Sequence, residues 1–120
     1  MAKRTVRFVV EFNIHDGKFD AFDAIAKEMI AGTEKEPGSL AYDWCLSADR
    51  RRCRLLETFA DEAATVAHAN SAVVTQLVPK LLENSSITRF EVYGEPGPEA
   101  RAILAGLGAE IFDLWRGLAR

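Results

Sequence analysis

Hydrophobic and polar residues alternate with a period of two in four stretches of the chain. The first stretch, Thr5 to Ile14, turns every second side chain the same way: Val6, Phe8, Val10, Phe12 and Ile14. The alternation returns from Leu40 to Ser47, from Arg52 to Phe59 and from Ile87 to Tyr93. Since successive side chains of a strand point to opposite faces, the pattern predicts four half-buried strands.

Two other stretches follow the three-and-four spacing of an amphipathic helix. In the first, apolar residues recur at Phe19, Phe22, Ile25, Ala26, Met29 and Ile30. Pro37 and Gly38 predict that this helix ends before them. In the second, Asp61 is a predicted N-cap for a helical region that continues to Leu82. Pro79 lies inside this region and predicts a kink or a break nearby, because proline has no N–H to donate.

The second and third strands are predicted to form a hairpin around a four-residue loop, residues 48–51. Pairing of Ser47 with Arg52 sets the register. It places Trp44 opposite Leu55, Tyr42 opposite Glu57 and Leu40 opposite Phe59. This register brings the large apolar groups onto one face, and a slip by one residue would scatter them.

The order strand, helix, strand, strand, helix, strand predicts an α+β fold. We expect a ferredoxin-like antiparallel sheet with both main helices on one face, formed by residues 1–95. Residues 96–120 are expected to form a C-terminal helical extension packed on the same domain, Glu99 to Leu118, with breaks near Gly106 and Gly108. The uncovered sheet face mixes apolar groups with charges of both signs. A copy of itself would complement that face, so we expect a homodimer through it.

Composition narrows the classes of partner. Of the 120 residues, 48% are hydrophobic and 28% charged, as in an ordinary globular domain. The net charge of -3 argues against a nucleic-acid partner, which requires a basic surface. The basic start of the chain superficially resembles a secretory signal, but Glu11 interrupts its short apolar part, which favours a first strand. No apolar stretch approaches the roughly 20 residues that span a bilayer, so no membrane partner is expected.

The two cysteines, Cys45 and Cys53, are too few for a disulfide framework or a zinc site. The predicted hairpin also turns them to opposite faces, which disfavours a disulfide between them. A cytoplasmic location is therefore the expectation. No phosphate-binding glycine loop, dinucleotide fingerprint or metal-ligand cluster is present in the sequence, so no metal site is predicted.

Two segments carry a resemblance to a known family: EPGSLAYDWCLSADRRRCRLLETFADEAATVAHANS, residues 36–71, and FEVYGEP, residues 90–96. The most telling parts are the Pro-Gly before the second strand, the Glu-Thr-Phe at the end of the third, and the Ala-His-Ala-Asn-Ser of the second helix. In order and spacing they resemble the antibiotic biosynthesis monooxygenase family, whose members include quinol monooxygenases. The resemblance implies a dimeric α+β barrel with a pocket between each sheet and its helices.

The resemblance also implies a range of activities. Some relatives oxidise polycyclic phenols or quinols with molecular oxygen and need no metal or flavin, so no cofactor is expected. Another branch degrades haem with an asparagine, a tryptophan and a histidine, where Val10, His68 and Val78 stand in this sequence. Haem degradation is therefore not predicted. The tryptophan and tyrosine that aromatic-polyketide oxygenases use around the second helix are also missing here.

His68 and Glu57 are the predicted catalytic residues. A histidine of ordinary pKa can take a phenolic proton near neutral pH, and small neighbours around His68 would leave room for a ligand. The alternative is a structural histidine on the helix. Glu57 would lie on the helix-facing side of the sheet, where a carboxylate needs a partner or a raised pKa. Tyr42 could donate a hydrogen bond to it and His68 could approach from above; a self-satisfied Tyr42–Glu57 pair is the structural alternative.

The predicted substrate-binding residues are aromatic: Tyr42, Trp44, Phe8 and Phe59, with Phe12 nearby in the pattern. They would give flat apolar walls to a planar ligand, although each is also a natural core residue. We therefore expect a homodimeric monooxygenase with a small aromatic or quinol substrate, His68 as base and Glu57 tuning it. The alternatives are a noncatalytic small-ligand-binding or stress-response dimer, and a structural dimer whose pocket is filled by its own side chains.

Overall fold

The structure is a computed structural model that describes residues 5–120. The strands are β1 Val6–Ile14, β2 Ser39–Leu46, β3 Arg52–Phe59, β4 Ser85–Gly94 and β5 Glu110–Asp113. The helices are α1 Phe19–Thr33, α2 Glu62–Ala69, α3 Val78–Leu81 and α4 Pro98–Gly106, and a π-helical turn, Val73–Leu77, leads into α3. Within residues 5–120, none of the helices combines the length and the apolar character that spanning a bilayer requires. Residues 1–4, with which the predicted domain begins, lie outside the described residues.

The strands form one sheet in the order β2-β3-β1-β4-β5. The first four pair antiparallel, and β5 pairs parallel to β4. This is the predicted ferredoxin-like arrangement with one strand added at an edge. The sheet is open, with β2 and β5 at its two edges.

The inner face of the sheet forms the core with α1. All five alternating residues of β1 are buried: Val6, Phe8, Val10, Phe12 and Ile14. From α1, the buried apolar residues are Phe22, Ala26 and Met29. Each large side chain removed from water stabilises the fold by about 1.5–3 kcal/mol. The buried apolar residues of β1 and α1 therefore stabilise the packing of the sheet against the helix.

The β2–β3 hairpin has the predicted register over most of its length. Trp44 pairs with Leu55 and Tyr42 with Glu57, and Ser47 N–H donates to the carbonyl of Arg52 at 2.9 Å. The pairing of Leu40 with Phe59 was wrong. A β-bulge between Ser39 and Ala41 pairs Ser39 with Phe59 instead and leaves Leu40 58% exposed. A bulge adds one residue to one strand, so the side chains beyond it point to the opposite face of the sheet from the one that regular alternation predicts.

The second helical region is broken, as Pro79 predicts. The Asp61 carboxylate caps α2 by accepting from Ala64 N–H at 2.9 Å, which confirms the predicted N-cap. The α-helix ends at Ala69, and the π-helical turn follows before Pro79 enters α3 at its first turn. Proline needs no N–H partner there, so the break costs little.

The C-terminal extension is helical only up to the predicted break near Gly106 and Gly108, so the helix before the break was confirmed and its continuation to Leu118 was wrong. Helix α4 ends at Gly106, and Gly108 takes a positive φ of 84° that breaks the helix. Residues 110–113 then pair with β4 as β5, and residues 114–120 form no regular element. Ala100 and Leu104 of α4 are buried in the main core, so the extension packs on the same domain.

Among residues 5–120, no helix packs on the outer face of the sheet. Its charges pair in part, since the Arg54 guanidinium donates to Glu11 at 2.7 Å and Arg89 lies 3.9 Å from Glu91. Apolar groups lie among them, including Leu56 and a stacked pair of rings from Tyr93 and Phe112, with centroids 5.2 Å apart. This mixture is the one expected from the strand pattern.

Candidate active site

His68 lies between two carboxylates. Its Nδ1 is 2.8 Å from Oε1 of Glu36, and its Nε2 is 3.3 Å from Oε1 of Glu57. The side chains of His68 and Glu57 are only 4% and 5% exposed, whereas that of Glu36 is 20% exposed. The three residues form a carboxylate–imidazole–carboxylate group that runs from the interior towards the surface, named here the Glu36–His68–Glu57 group.

Each member of this group comes from a different element. Glu57 is in the middle of β3, paired with Phe8 on one side and Tyr42 on the other, so strand alternation points it at the helices. His68 is in the last turn of α2, and Glu36 is in the loop between α1 and β2.

Close packing at Gly38 holds these elements together. A Cβ added at Gly38 would lie 2.5 Å from the Cβ of Ala64, so α2 approaches the α1–β2 loop as closely as glycine allows. The carbonyl of Gly38 also accepts from Ala60 N–H at 2.9 Å, just before α2 begins. These contacts place the end of α2 over Glu36 and Glu57.

Burial and mutual charge displace the pKa values of the two buried members of the group, Glu57 and His68, which form the inner pair. Burial is the main influence on Glu57 and raises the pKa of its carboxyl, although His68 acts in the opposite direction. For His68, burial lowers the pKa, but the hydrogen bonds and charges of Glu57 and Glu36 outweigh it, so the net pKa is raised. Both shifts favour a bound proton. Nε2 of His68 and Oε1 of Glu57, 3.3 Å apart, can therefore share a proton between them.

Aromatic rings surround the group. The rings of Phe59 and Tyr42 flank His68, with centroids 5.0 and 5.6 Å from the imidazole. Trp44 follows Tyr42 along β2 at 5.8 Å and stacks on Phe12 at 6.0 Å with an interplanar angle of 7°. The ring of Phe8 meets that of Phe59 edge-on, with centroids 4.9 Å apart. Of the four predicted substrate-binding residues, Tyr42 and Phe59 therefore contact His68 directly. Trp44 contacts Tyr42, and Phe8 contacts Phe59.

Three polar atoms next to these rings are buried without a hydrogen-bond partner of regular geometry among the described residues: Thr33 Oγ1, Tyr42 Oη and Trp44 Nε1. The Tyr42 hydroxyl therefore does not donate to Glu57, and the predicted self-satisfied Tyr42–Glu57 pair does not form. Burial, followed by the charge of Glu57, raises the pKa of Tyr42, and the nearby Thr33 hydroxyl opposes the rise. Tyr42 is therefore held in its protonated form.

Glu36 and Thr33 were not identified from the sequence. Glu36 precedes Pro37 in a turn, where a solvated carboxylate is the ordinary expectation. Its contact with His68 joins residues 32 positions apart, and no local pattern encodes such a contact. The sequence signal for the role of Glu36 is its presence, with Glu57 and His68, in the segment that carries the family resemblance.

Several surface pockets lie elsewhere in the described part of the chain. One of about 280 Å³ is beside Cys45 and Arg54, another of about 240 Å³ is between Arg7 and the C-terminal residues, and a third of about 200 Å³ is at the β2–β3 turn. None of the three is lined by His68 or Glu57, so the expected aromatic-walled cavity is not among them. Within residues 5–120, no group of three or more His, Cys, Asp or Glu side chains is arranged to hold a metal ion.

Comparison with known proteins gives a consistent result for family and fold. The antibiotic biosynthesis monooxygenase family model matches residues 5–80. MupZ from Pseudomonas fluorescens has a similar structure, with a TM-score of 0.82 and 26% identity over 98% of this chain and 95% of MupZ. Rv0793 from Mycobacterium tuberculosis has a TM-score of 0.64 and 26% identity over 74% of this chain and 90% of its own.

A third structure supports the fold alone. A candidate antibiotic biosynthesis monooxygenase from Nitrosomonas europaea has a TM-score of 0.70 and 20% identity, over 82% of this chain and 96% of its own. No curated protein matches the sequence. The similarity to MupZ spans nearly all of both chains, so it includes most of the C-terminal extension.

Proposed function

The chain belongs to the antibiotic biosynthesis monooxygenase family, and on this basis we propose that it oxidises a small planar phenol or quinol with molecular oxygen. No metal or organic cofactor takes part in the proposed reaction, as the family resemblance implies. The observation that carries the proposal is the buried Glu36–His68–Glu57 group, in which a histidine lies between two carboxylates beside aromatic rings.

The geometry changes the role expected for His68. Both of its ring nitrogens are engaged by carboxylates, so His68 has no free nitrogen with which to meet a substrate directly. We assign the acid–base role to the Glu57–His68 pair as a unit. The second oxygen of Glu57 receives the phenolic proton, His68 balances the charge, and Glu36 fixes the imidazole through Nδ1.

The proposed reaction inserts one oxygen atom and releases the other as water. The pair removes a phenolic proton, and the resulting phenolate, now electron-rich, forms a C–O bond with oxygen at a ring carbon. The peroxide oxygen takes a proton back from the pair. Loss of the hydrogen on that carbon then breaks the O–O bond and leaves a carbonyl. A quinol and O₂ thus give a hydroxyquinone and H₂O, with oxygen as the oxidant.

The rest of the site is assigned to binding. Tyr42 and Trp44 are only partly buried and lie on the edge strand β2, which offers a route for a substrate between this strand and α1. Phe59 and Phe8 would complete the apolar wall behind them. The homodimer through the outer sheet face and the cytoplasmic location remain parts of the proposal.

The noncatalytic alternative has one observation in its favour. The aromatic rings near His68 contact one another closely, as in a packed core. A ligand-binding or purely structural dimer would use the same fold without chemistry. In that case quinones would stabilise the protein against heat without turnover, or would not bind at all.

Oxygen consumption by chelator-treated protein tests the proposal. The panel contains hydroquinones and polycyclic phenols, corrected for oxidation without protein. His68→Ala is expected to reduce the rate by about 100-fold or more, the usual contribution of general acid–base catalysis. The other histidine, His15, provides the matched control, since His15→Ala alters an exposed residue away from the site. Undiminished uptake in folded His68→Ala would remove the pair from the mechanism, and no uptake across the panel would favour the noncatalytic alternative.

A further inference from the structure

The three unpartnered atoms beside the Glu36–His68–Glu57 group form a distinct polar feature. We propose that Thr33, Tyr42 and Trp44 are a hydrogen-bond donor site for the acceptor oxygen of a planar aromatic ligand, such as a carbonyl or quinone oxygen. The proposal rests on the proposed function in one respect, because it names the chemistry by which the same site would recognise its substrate.

The donors outnumber the acceptors available to them. The indole N–H of Trp44 can only donate. The hydroxyls of Thr33 and Tyr42 carry two hydrogens, and a bond between these hydroxyls would use only one of them. At least two buried hydrogens are therefore left without an acceptor from the described residues. Buried donors are nearly always paired in folded proteins, so an acceptor from outside the chain is the natural partner.

The surroundings of the donors are aromatic and shielded from water. Trp44 stacks on Phe12 and meets the ring of Phe22 edge-on at 5.9 Å. Thr33 is 3% exposed at the end of α1, so its hydroxyl is shielded from bulk water. Hydrogen bonds formed in such shielded, apolar surroundings discriminate strongly between ligands that can and cannot accept.

The donors extend away from the acid–base pair. The Tyr42 ring contacts both the His68 ring and the Trp44 ring. Residues two apart on a strand are separated by about 7 Å, so the donor site begins beside His68 and continues along β2. A ring with oxygens at opposite ends can give one hydroxyl to the Glu57–His68 pair and the other oxygen to the donors. This favours a quinol over a simple monophenol.

Binding of two matched probes tests the donor site without any turnover. 1-Indanone carries one ketone oxygen on a flat bicyclic frame, and indane has the same frame without it. The chain has two tryptophans, so a ¹⁵N-labelled sample gives two indole signals, and Trp115→Phe identifies that of Trp44. We expect 1-indanone to shift the Trp44 signal and to bind more tightly than indane.

Removal of the donors should abolish this preference. In Thr33→Val, Tyr42→Phe and Trp44→Phe, the preference for 1-indanone should fall by about three- to tenfold per donor lost. The melting temperature of ligand-free Thr33→Val and Tyr42→Phe should stay the same or rise, because an unpaired buried donor has been removed. This second readout separates lost recognition from lost folding.

Three results would overturn the donor site: equal affinity for both probes, a preference retained in the variants, or no binding of either probe. Neither probe has a phenolic proton or a quinol to oxidise. A failure of oxygen consumption together with selective binding of 1-indanone would therefore refute the monooxygenase and keep the donor site. Oxygen consumption without selective binding would do the reverse.

Discussion

The two faces of the sheet carry ion pairs of similar composition in opposite surroundings. On the inner face, Glu57 and His68 are separated by 3.3 Å and are almost wholly buried. On the outer face, Glu11 and Arg54 are closer, at 2.7 Å, but the arginine is 51% exposed. The shorter pair is the one in water, where charge–charge attraction is weak. Burial therefore strengthens the mutual influence of the inner pair despite its longer separation, and His68, unlike arginine, can release a proton near neutral pH.

The pKa shifts of the two pairs have opposite signs. On the outer face, the hydrogen bond from Arg54, followed by that from Thr88, lowers the pKa of Glu11. Its contribution to stability is present above the ordinary glutamate pKa of 4.5 and is lost as the pH falls. On the inner face, the raised pKa values of Glu57 and His68 mean that the folded state holds protons longer than the unfolded state.

The largest predicted effect is the loss of stability that follows removal of the Glu57 carboxylate. Glu57→Ala should lower the free energy of unfolding by about 3 kcal/mol or more, because it leaves Nε2 of His68 buried without a partner. Urea denaturation at neutral pH measures the change. A loss as small as that of a surface substitution would show that the inner pair does not differ from the outer one in its energetic role.

The next effect concerns the packing that positions the inner pair. Gly38→Ala should cost about 1–3 kcal/mol and weaken the activity, because the added methyl group pushes α2 away from the α1–β2 loop. Gly106→Ala is the matched control, since a Cβ there meets no atom within 4 Å and the residue ends α4. Thermal denaturation of both variants tests the contrast, and an equal cost at the two positions would contradict the role of Gly38.

A smaller effect is expected in the pH dependence of stability. The contribution of Glu57 and His68 is complete below their unfolded pKa values, 4.5 and 6.5, and is lost as the pH rises through the higher folded values. Glutamine at position 57 does not titrate. The stability of the wild type relative to Glu57→Gln should therefore decline as the pH rises above the unfolded glutamate value of 4.5. If the free energies of unfolding of wild type and Glu57→Gln depend on pH in the same way, the Glu57 carboxyl has no displaced pKa.

The smallest effect belongs to the outer pair. Glu11→Ala should change the free energy of unfolding by about 1 kcal/mol or less, and added salt should reduce that change further. Denaturation of wild type and variant at low and high salt measures both effects. A larger cost that depends on protein concentration would instead show that this face is covered by a second copy in solution.

Local patterns were sufficient for the first four strands and for α1, because side-chain alternation and helical spacing are properties of a few consecutive residues. The buried residues of β1 and the strand register that places Tyr42 opposite Glu57 follow directly from these patterns. The exposed position of Leu40 could not be predicted in this way. It depends on a bulge at the start of β2, and the sequence around it alternates as in a regular strand.

Contacts between distant segments account for the other differences. Residues 110–113 form a strand because β4 offers a free edge, whereas their own sequence was interpreted as part of a helix. The role of Glu36 requires the close approach of Gly38 to Ala64, a contact between segments that the sequence does not place side by side. The candidate acid and histidine could be named from the sequence, but the second carboxylate could not.

The proton on the buried imidazole is the most direct test of the Glu36–His68–Glu57 group. A ¹⁵N NMR titration of the histidine ring signals is simple to interpret because the chain has only two histidines, and His15→Asn assigns both. We expect His68 to stay protonated above its ordinary pKa of 6.5 and to lose that shift in part in Glu57→Gln. A His68 that titrates at or below the ordinary value, or is unaffected by Glu57→Gln, would contradict the account.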